Sequence, residues 1–245
     1  MNKSNFNPLF LIVLLLSLES FAQVSSVKLN PKDYKNFLLG KFKPDSCEFF
    51  VLIPSMYTRK SDIFIQKQTL DAYIKMFVAA KNDGIKLEII SATRSFIYQK
   101  GIWERKWNSP SFQKFMDAIS RSRQIMHYSA MPGTSRHHWG TDIDLNSLSN
   151  TAFSNGNGKL VYEWLLKNAG KFGFCQVYSE KGQNRKFGYE EEKWHWSYLP
   201  LAQSYTKDYP MLVKKEDIAG FPGCESFERL SVIQHYVLGI YPSCK

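Results

Sequence analysis

The chain has 245 residues, 44% of them hydrophobic and 15% aromatic, which is enough to close a core within one domain and excludes a disordered polymer. Its formal net charge of +10 at pH 7 favours anionic polymers through long-range attraction. No pattern of a nucleic-acid-binding module accompanies that charge.

At the start of the chain, Lys3 precedes an apolar run over residues 9–18 that ends in Ser20-Phe21-Ala22, with small residues where a signal peptidase reads. The run is shorter than the roughly 20 apolar residues needed to cross a bilayer. We expect a signal peptide over residues 1–22, cleavage between Ala22 and Gln23, and export to the periplasm or the extracellular space. Cleavage removes one base, Lys3, and one acid, Glu19, so the remaining chain keeps its +10. Outside the cytoplasm the anionic polymers are wall, envelope or lipid, and the alternative is a solvated basic surface with no specific partner. The residue immediately after the cut is Gln23 and not a cysteine, which argues against a lipoprotein. In an oxidising compartment Cys47, Cys175, Cys224 and Cys244 are disulfide candidates, and no CxxC pair marks a redox or zinc-knuckle site. Cys224 and Cys244 bracket one C-terminal segment and suggest a local staple, which leaves Cys47 for Cys175; three pairings are formally open.

After a mixed opening segment over residues 28–55, Leu70, Tyr73, Ile74, Phe77, Val78 and Lys81 keep the spacing of an amphipathic helix stopped by Asn82-Asp83-Gly84. Residues 86–91 read as a strand. Residues 95–107 and 111–128 have helical composition, parted by Asn108-Ser109-Pro110. Asp142-Ile143-Asp144-Leu145 alternates as a half-buried strand does, with both carboxylates on one face. A loop at residues 155–158 leads to a helix over 160–169, then a strand over 174–178, and residues 192–198 alternate again. Beyond Pro200 the pattern is irregular until Phe227, Leu230, Ile233, Gln234, Val237 and Leu238 mark a last helix. The expectation is one α+β domain over residues 23–200, a small antiparallel sheet with helices packed to one side, and a C-terminal extension over 201–245 lying on the same domain.

Two segments concentrate the rarer side chains: Ser135-Arg136-His137-His138-Trp139-Gly140-Thr141-Asp142-Ile143-Asp144, and Glu192-Lys193-Trp194-His195-Trp196. They hold three of the five histidines. A catalytic zinc site takes about three protein ligands from His and carboxylate and leaves a position for water. His137, Asp144 and His195 supply such a set. Glu192 can then take the water's proton and pass it to a leaving amine. The plainer alternative is a hydrogen-bonded core pair or a surface cluster, because His and Asp are often neighbours without a metal.

Ser135-x-His137-x-x-Gly140-x-x-x-Asp144, followed by Glu192-x-Trp194-His195, resembles the SxHxxGxxxD and ExWH motifs of the VanY-type D-alanyl-D-alanine carboxypeptidases. Thr93-Arg94-Ser95-Phe96-Ile97-Tyr98-Gln99 resembles the YRSxxxQ segment of that family, and the likeness runs over residues 35–199. It implies a Hedgehog/DD-peptidase-like fold with Zn2+ on His137, Asp144 and His195, and Glu192 as the catalytic base. Arg94 would stabilise the oxyanion or orient the carbonyl, and Gln99 and Ser135 would contact the peptide near its C-terminal end. The implied substrates are peptidoglycan stem peptides cut at a terminal D-alanine, with D,D and L,D specificity both open.

This sequence departs from the family at Asp142, where Ala is common. That carboxylate could orient a ligand, compete as one, or serve as a structural acceptor. His138 and Trp139 also depart, and read as pocket wall or packing; Trp194 and Trp196 read as core. His127 and His235 are lone histidines left outside the site. Ser111-x-x-Lys114 matches the SxxK of serine-type wall enzymes by chance, since no KTG accompanies it. A non-catalytic wall-binding module on the same scaffold would be expected to lack the glutamate at position 192. A wall endopeptidase would differ only in a cleft open beyond the scissile bond.

Overall fold

The computed structural model describes residues 30–245, so the expected signal peptide lies outside the described residues. Asn30 begins the first helix, α1 (Pro31–Leu38), because its side chain accepts a hydrogen bond from the Asp33 amide and Pro31 needs no partner at the first helical position. A short hairpin of β1 (Phe50–Leu52) and β2 (Phe64–Gln66) leads directly into α2 (Lys67–Asn82). That helix buries Leu70, Tyr73, Met76 and Ala80 at the spacing the sequence shows. β3 (Ile89–Ser91) follows, then α3 (Phe96–Trp107), whose Ser95 cap accepts from the Tyr98 amide.

The segment read as one helical stretch after Pro110 is two helices, α4 (Pro110–Gln113) and α5 (Ala118–Ile125). Asp117 separates them by capping α5 through the Ser120 amide. β4 (Asp142–Leu145), α6 (Gly156–Asn168), β5 (Phe174–Cys175) and β6 (His195–Tyr198) follow, α6 beginning inside the expected loop and β5 ending short of the expected residue 178. The main sheet has the order β3-β4-β6-β5 and is antiparallel throughout. Ile143 and Leu145 enter an apolar cluster with Tyr73 and Met76 of α2 and Leu165 of α6. Asp142 and Asp144, which alternate with them, face the other way. A second apolar cluster joins α1, α3 and the C-terminal region around Trp103, Trp139 and Tyr209.

Two expectations for the C-terminal region fail. The stretch after Pro200 is not irregular at first: α7 (Leu199–Leu212) runs straight on from β6, with Pro200 in its first turn and Pro210 inside it. The proposed boundary at residue 200 therefore falls within a helix. The last helix, in turn, is only a single π turn, Ile233–Val237, because Ser231 takes a left-handed φ of 48° and breaks the chain before it. Among the described residues no helix is long and apolar enough to cross a membrane.

The expected cysteine pairing is also corrected. Cys175 is bonded to Cys244, while Cys47 and Cys224 are free thiols. Tyr241 donates its amide to the Val177 carbonyl at 2.8 Å, which brings the C-terminal segment back along β5 and lays Cys244 against Cys175. Cys224 belongs to the other cluster, next to Gly223, which packs against Trp107 of α3. The segment between Cys224 and Cys244 thus connects two parts of the molecule and does not close on itself.

Candidate active site

The first motif folds as a 3-10 turn, Arg136–Trp139, that ends at Gly140 and enters β4. Gly140 has φ 68°, and a Cβ there would sit 2.4 Å from Cε1 of Phe50, so only glycine lets the chain swing into the strand. The two adjacent histidines of the turn go to different partners. His138 donates from Nδ1 to the Arg94 carbonyl at 2.6 Å and accepts the Gly133 amide on Nε2 at 3.0 Å. Both its nitrogens are used, and burial pushes its pKa down to about 3. His138 is packing, as expected; its ring stands where a Cβ on Gly40 would be, 2.4 Å from Nδ1.

His137 donates from Nδ1 to the Ala92 carbonyl at 2.7 Å. A carbonyl can only accept, so that bond fixes the tautomer and leaves the Nε2 lone pair free. Nε2 lies 3.3 Å from Oδ1 of Asp144.

The β4–β6 register sets Asp144 opposite His195 and Asp142 opposite Ser197, which joins two motifs some fifty residues apart. His195 donates from Nε2 to Oδ2 of Asp142 at 2.8 Å, which turns its Nδ1 toward Oδ1 of Asp144 at 3.2 Å. Asp142 has nothing left for a metal. Oδ2 also accepts from Arg136 Nε at 3.0 Å, and Oδ1 accepts from the Thr141 and Ser197 hydroxyls at 2.7 and 2.8 Å. Arg136 is only 1% exposed and spends its remaining nitrogens on the Thr206 and Ser197 hydroxyls, with its guanidinium over the Trp139 ring. Asp142 is thus an acceptor with both oxygens engaged, and one of its partners is the His195 ring.

His137, Asp144 and His195 each offer a donor atom within 4.8 Å of the others, and all three are buried. Among the described residues His137 Nε2 and Asp144 Oδ1 have no hydrogen-bond partner, an arrangement that costs free energy unless something else engages them. Two neutral imidazoles and one carboxylate fit zinc in charge and in donor type.

Glu192 reaches the same point because the chain turns tightly, the His195 amide donating to the Glu192 carbonyl at 3.2 Å. Its carboxylate lies 3.3 Å from His195 Nδ1 and is 6% exposed. Burial raises its pKa above the ordinary glutamate value, against the pull of His195. Arg94 donates to Oδ2 of Asp144 at 2.5 Å and to the Ser91 hydroxyl at 3.0 Å.

A cleft of about 530 Å³ opens over this set, and Arg94, Ser135, His137, Asp144, Glu192 and His195 all line it. Tyr128, Leu148 and Lys106 form part of the remaining wall, as does Trp194, which is at once core and cleft. Gln99 is placed elsewhere: fully buried, it donates its amide to the Ala130 carbonyl at 2.8 Å and supports the wall from behind. Sequence reasoning missed Arg136, Thr206 and Lys106. Arg136 stood inside the first motif, but nothing in its spacing distinguishes a buried arginine from a solvated one.

The small antiparallel sheet, its helices and the cleft over β4 and β6 are those of the Hedgehog/DD-peptidase-like fold. The chain belongs to the VanY D-alanyl-D-alanine carboxypeptidase family, whose model matches residues 62–201, more than half of its length. It is 34% identical over 142 residues to YodJ of Bacillus subtilis (strain 168), whose name carries a provisional carboxypeptidase assignment; the match covers 56% of this chain and 46% of that protein. It is 28% identical over 162 residues to a D-alanyl-D-alanine carboxypeptidase of Enterococcus faecalis (strain ATCC 700802 / V583), covering 64% of this chain and 58% of that one. The chain thus spans about half the length of these curated relatives. Among solved structures it is similar to the LD-carboxypeptidase LdcB, with a TM-score of 0.52 and 24% identity over 78% of this chain and 81% of that one, a likeness of fold.

Proposed function

We propose that this chain is an exported zinc carboxypeptidase that removes the C-terminal D-alanine from peptidoglycan stem peptides. The observation that carries the proposal is the pair of unsatisfied donor atoms, His137 Nε2 and Asp144 Oδ1, beside the buried Glu192. Family membership supports the substrate class.

His137, Asp144 and His195 would hold the metal, which when bound supplies Lewis-acid activation of water and of the scissile carbonyl. Glu192 takes the proton of the attacking water and hands it to the departing amine. Its burial suits both halves of that task, because a carboxylate with raised proton affinity is a better base and remains a competent acid. Arg94 lines the cleft, and the nitrogen it does not spend on Ser91 and Asp144 can offer a charge-assisted hydrogen bond to the developing oxyanion. Ser135 lines the cleft and helps to position the peptide.

The test is mass spectrometry of zinc-loaded protein incubated with pentapeptide and tetrapeptide stems, with and without a chelator. Chelator-sensitive loss of one terminal alanine is expected, and the stem that is cut decides between D,D and L,D specificity. Glu192→Gln should retain zinc and lose about a hundred- to ten-thousandfold in rate. Full activity in that variant would remove Glu192 from its role, and no cleavage by a protein holding stoichiometric zinc would overturn the carboxypeptidase reading.

A further inference from the structure

Four cations line the cleft, and three of them are accounted for. Arg94 is paired with Asp144, Arg136 is paired with Asp142, and Lys60 is exposed to solvent. Lys106 is different. It comes from the last turn of α3 and is half-buried. Among the described residues its Nζ has one hydrogen bond, to the Ser129 hydroxyl at 2.6 Å, and no carboxylate stands within salt-bridge distance. An ammonium drawn out of water with only a hydroxyl for company is a group waiting for an anion.

The surroundings hold this ammonium in place. Trp103, one turn earlier on α3, is fully buried and donates its indole N–H to the Pro222 carbonyl at 2.8 Å. Gln99, two turns earlier, holds the Ala130 carbonyl and so fixes the segment that carries Ser129. Ser129 and Ala130 both line the cleft. The site is close to the reaction centre: burial lowers the proton affinity of Lys106, the charge of Glu192 restores part of it, and Arg94 opposes it.

We propose that Lys106, together with the Ser129 hydroxyl, anchors the C-terminal carboxylate of the peptide and so makes this cleft an exopeptidase site. This rests on the carboxypeptidase reading above and adds the residue that selects a free chain end. A terminal carboxylate is an anion that every substrate of an exopeptidase carries and an internal peptide bond lacks. Gln99 then acts as a positioning residue, through Ala130, for the wall on which the carboxylate lands.

The experiment compares wild type, Lys106→Met and Lys106→Arg on one stem peptide in two forms, with a free C-terminal carboxylate and with a C-terminal amide, each protein checked for bound zinc and thermal midpoint. Wild type should prefer the free acid. Lys106→Met should lose about ten- to a hundredfold in kcat/KM on the acid, chiefly through KM, and leave the amide unchanged, while Lys106→Arg restores part of the preference. A Lys106→Met variant that keeps its preference for the acid, or loses equally on both forms, overturns the proposal; equal loss would place Lys106 on some other part of the peptide. Zinc-loaded wild type that cleaves neither form overturns the carboxypeptidase reading and this one with it.

Discussion

Asp142 accepts four hydrogen bonds, two on each oxygen, from Arg136, His195, Thr141 and Ser197. Burial works against its charge, but Arg136 and His195 hold the carboxyl well below the usual carboxylate range. It is therefore an anion at neutral pH, and it holds the His195 ring through Nε2 with Nδ1 turned toward Asp144. Asp142→Asn removes that charge, so the hold on the His195 ring weakens and Arg136 loses its ion partner in the core. Zinc affinity should fall about ten- to a hundredfold, read by titration against a competing chelator. Unchanged affinity would mean that Asp142 is structural only. The sequence showed Asp142 and Asp144 on one face of a strand but had no means of dividing their roles. What divides them is the burial of Arg136 and the hydroxyl of Ser197, and neither follows from spacing.

The elements that spacing revealed are those with a long periodic face or an alternating one: α2, α3, α6, and the β4 and β6 strands that carry the two motifs. Spacing did not show α1 or the β1–β2 hairpin, which lie in the mixed opening segment and just after it, and it hid α7, whose prolines at 200 and 210 read as breakers. The fold tolerates Pro200 because the first turn of a helix lacks partners for its amides anyway. α7 braces the histidine turn from behind at two points. Thr206 accepts from Arg136 at 2.7 Å, and the Tyr209 hydroxyl donates to the Gly133 carbonyl at 2.7 Å, on the residue whose amide holds His138. Thr206→Val keeps the shape and leaves one guanidinium nitrogen unpaired in the core, which should cost about 1–3 kcal/mol of unfolding free energy in a denaturant titration. Thr206→Ser should cost much less. Equal losses for the two variants would show that Thr206 acts through packing.

At the scale of the molecule, the Cys175–Cys244 bond spans 69 residues and secures the C-terminal region to the edge strand of the main sheet. The chain-entropy account gives a closed loop of that length about 4 kcal/mol of stabilisation. Cys244→Ser should therefore lower stability under oxidising conditions by up to about that amount, and added reductant should then change the variant little while destabilising wild type. A wild type indifferent to reductant would contradict the pairing. Cysteine positions alone suggested the wrong partner for Cys244 because they carry no information on where the chain between 224 and 244 travels.

Gly40 and His138 are coupled by the space they share. Gly40, just beyond α1, has φ 70° and no space for a side chain, since the His138 ring fills it. Neither position can drift alone: a side chain at 40 demands a smaller residue at 138, and that smaller residue opens a void behind the Arg94 carbonyl. His137, one residue away, turns instead to the Ala92 carbonyl and to Asp144. Two neighbouring histidines in one motif thus answer to separate constraints, one to the space that a distant glycine leaves and the other to the proposed metal site.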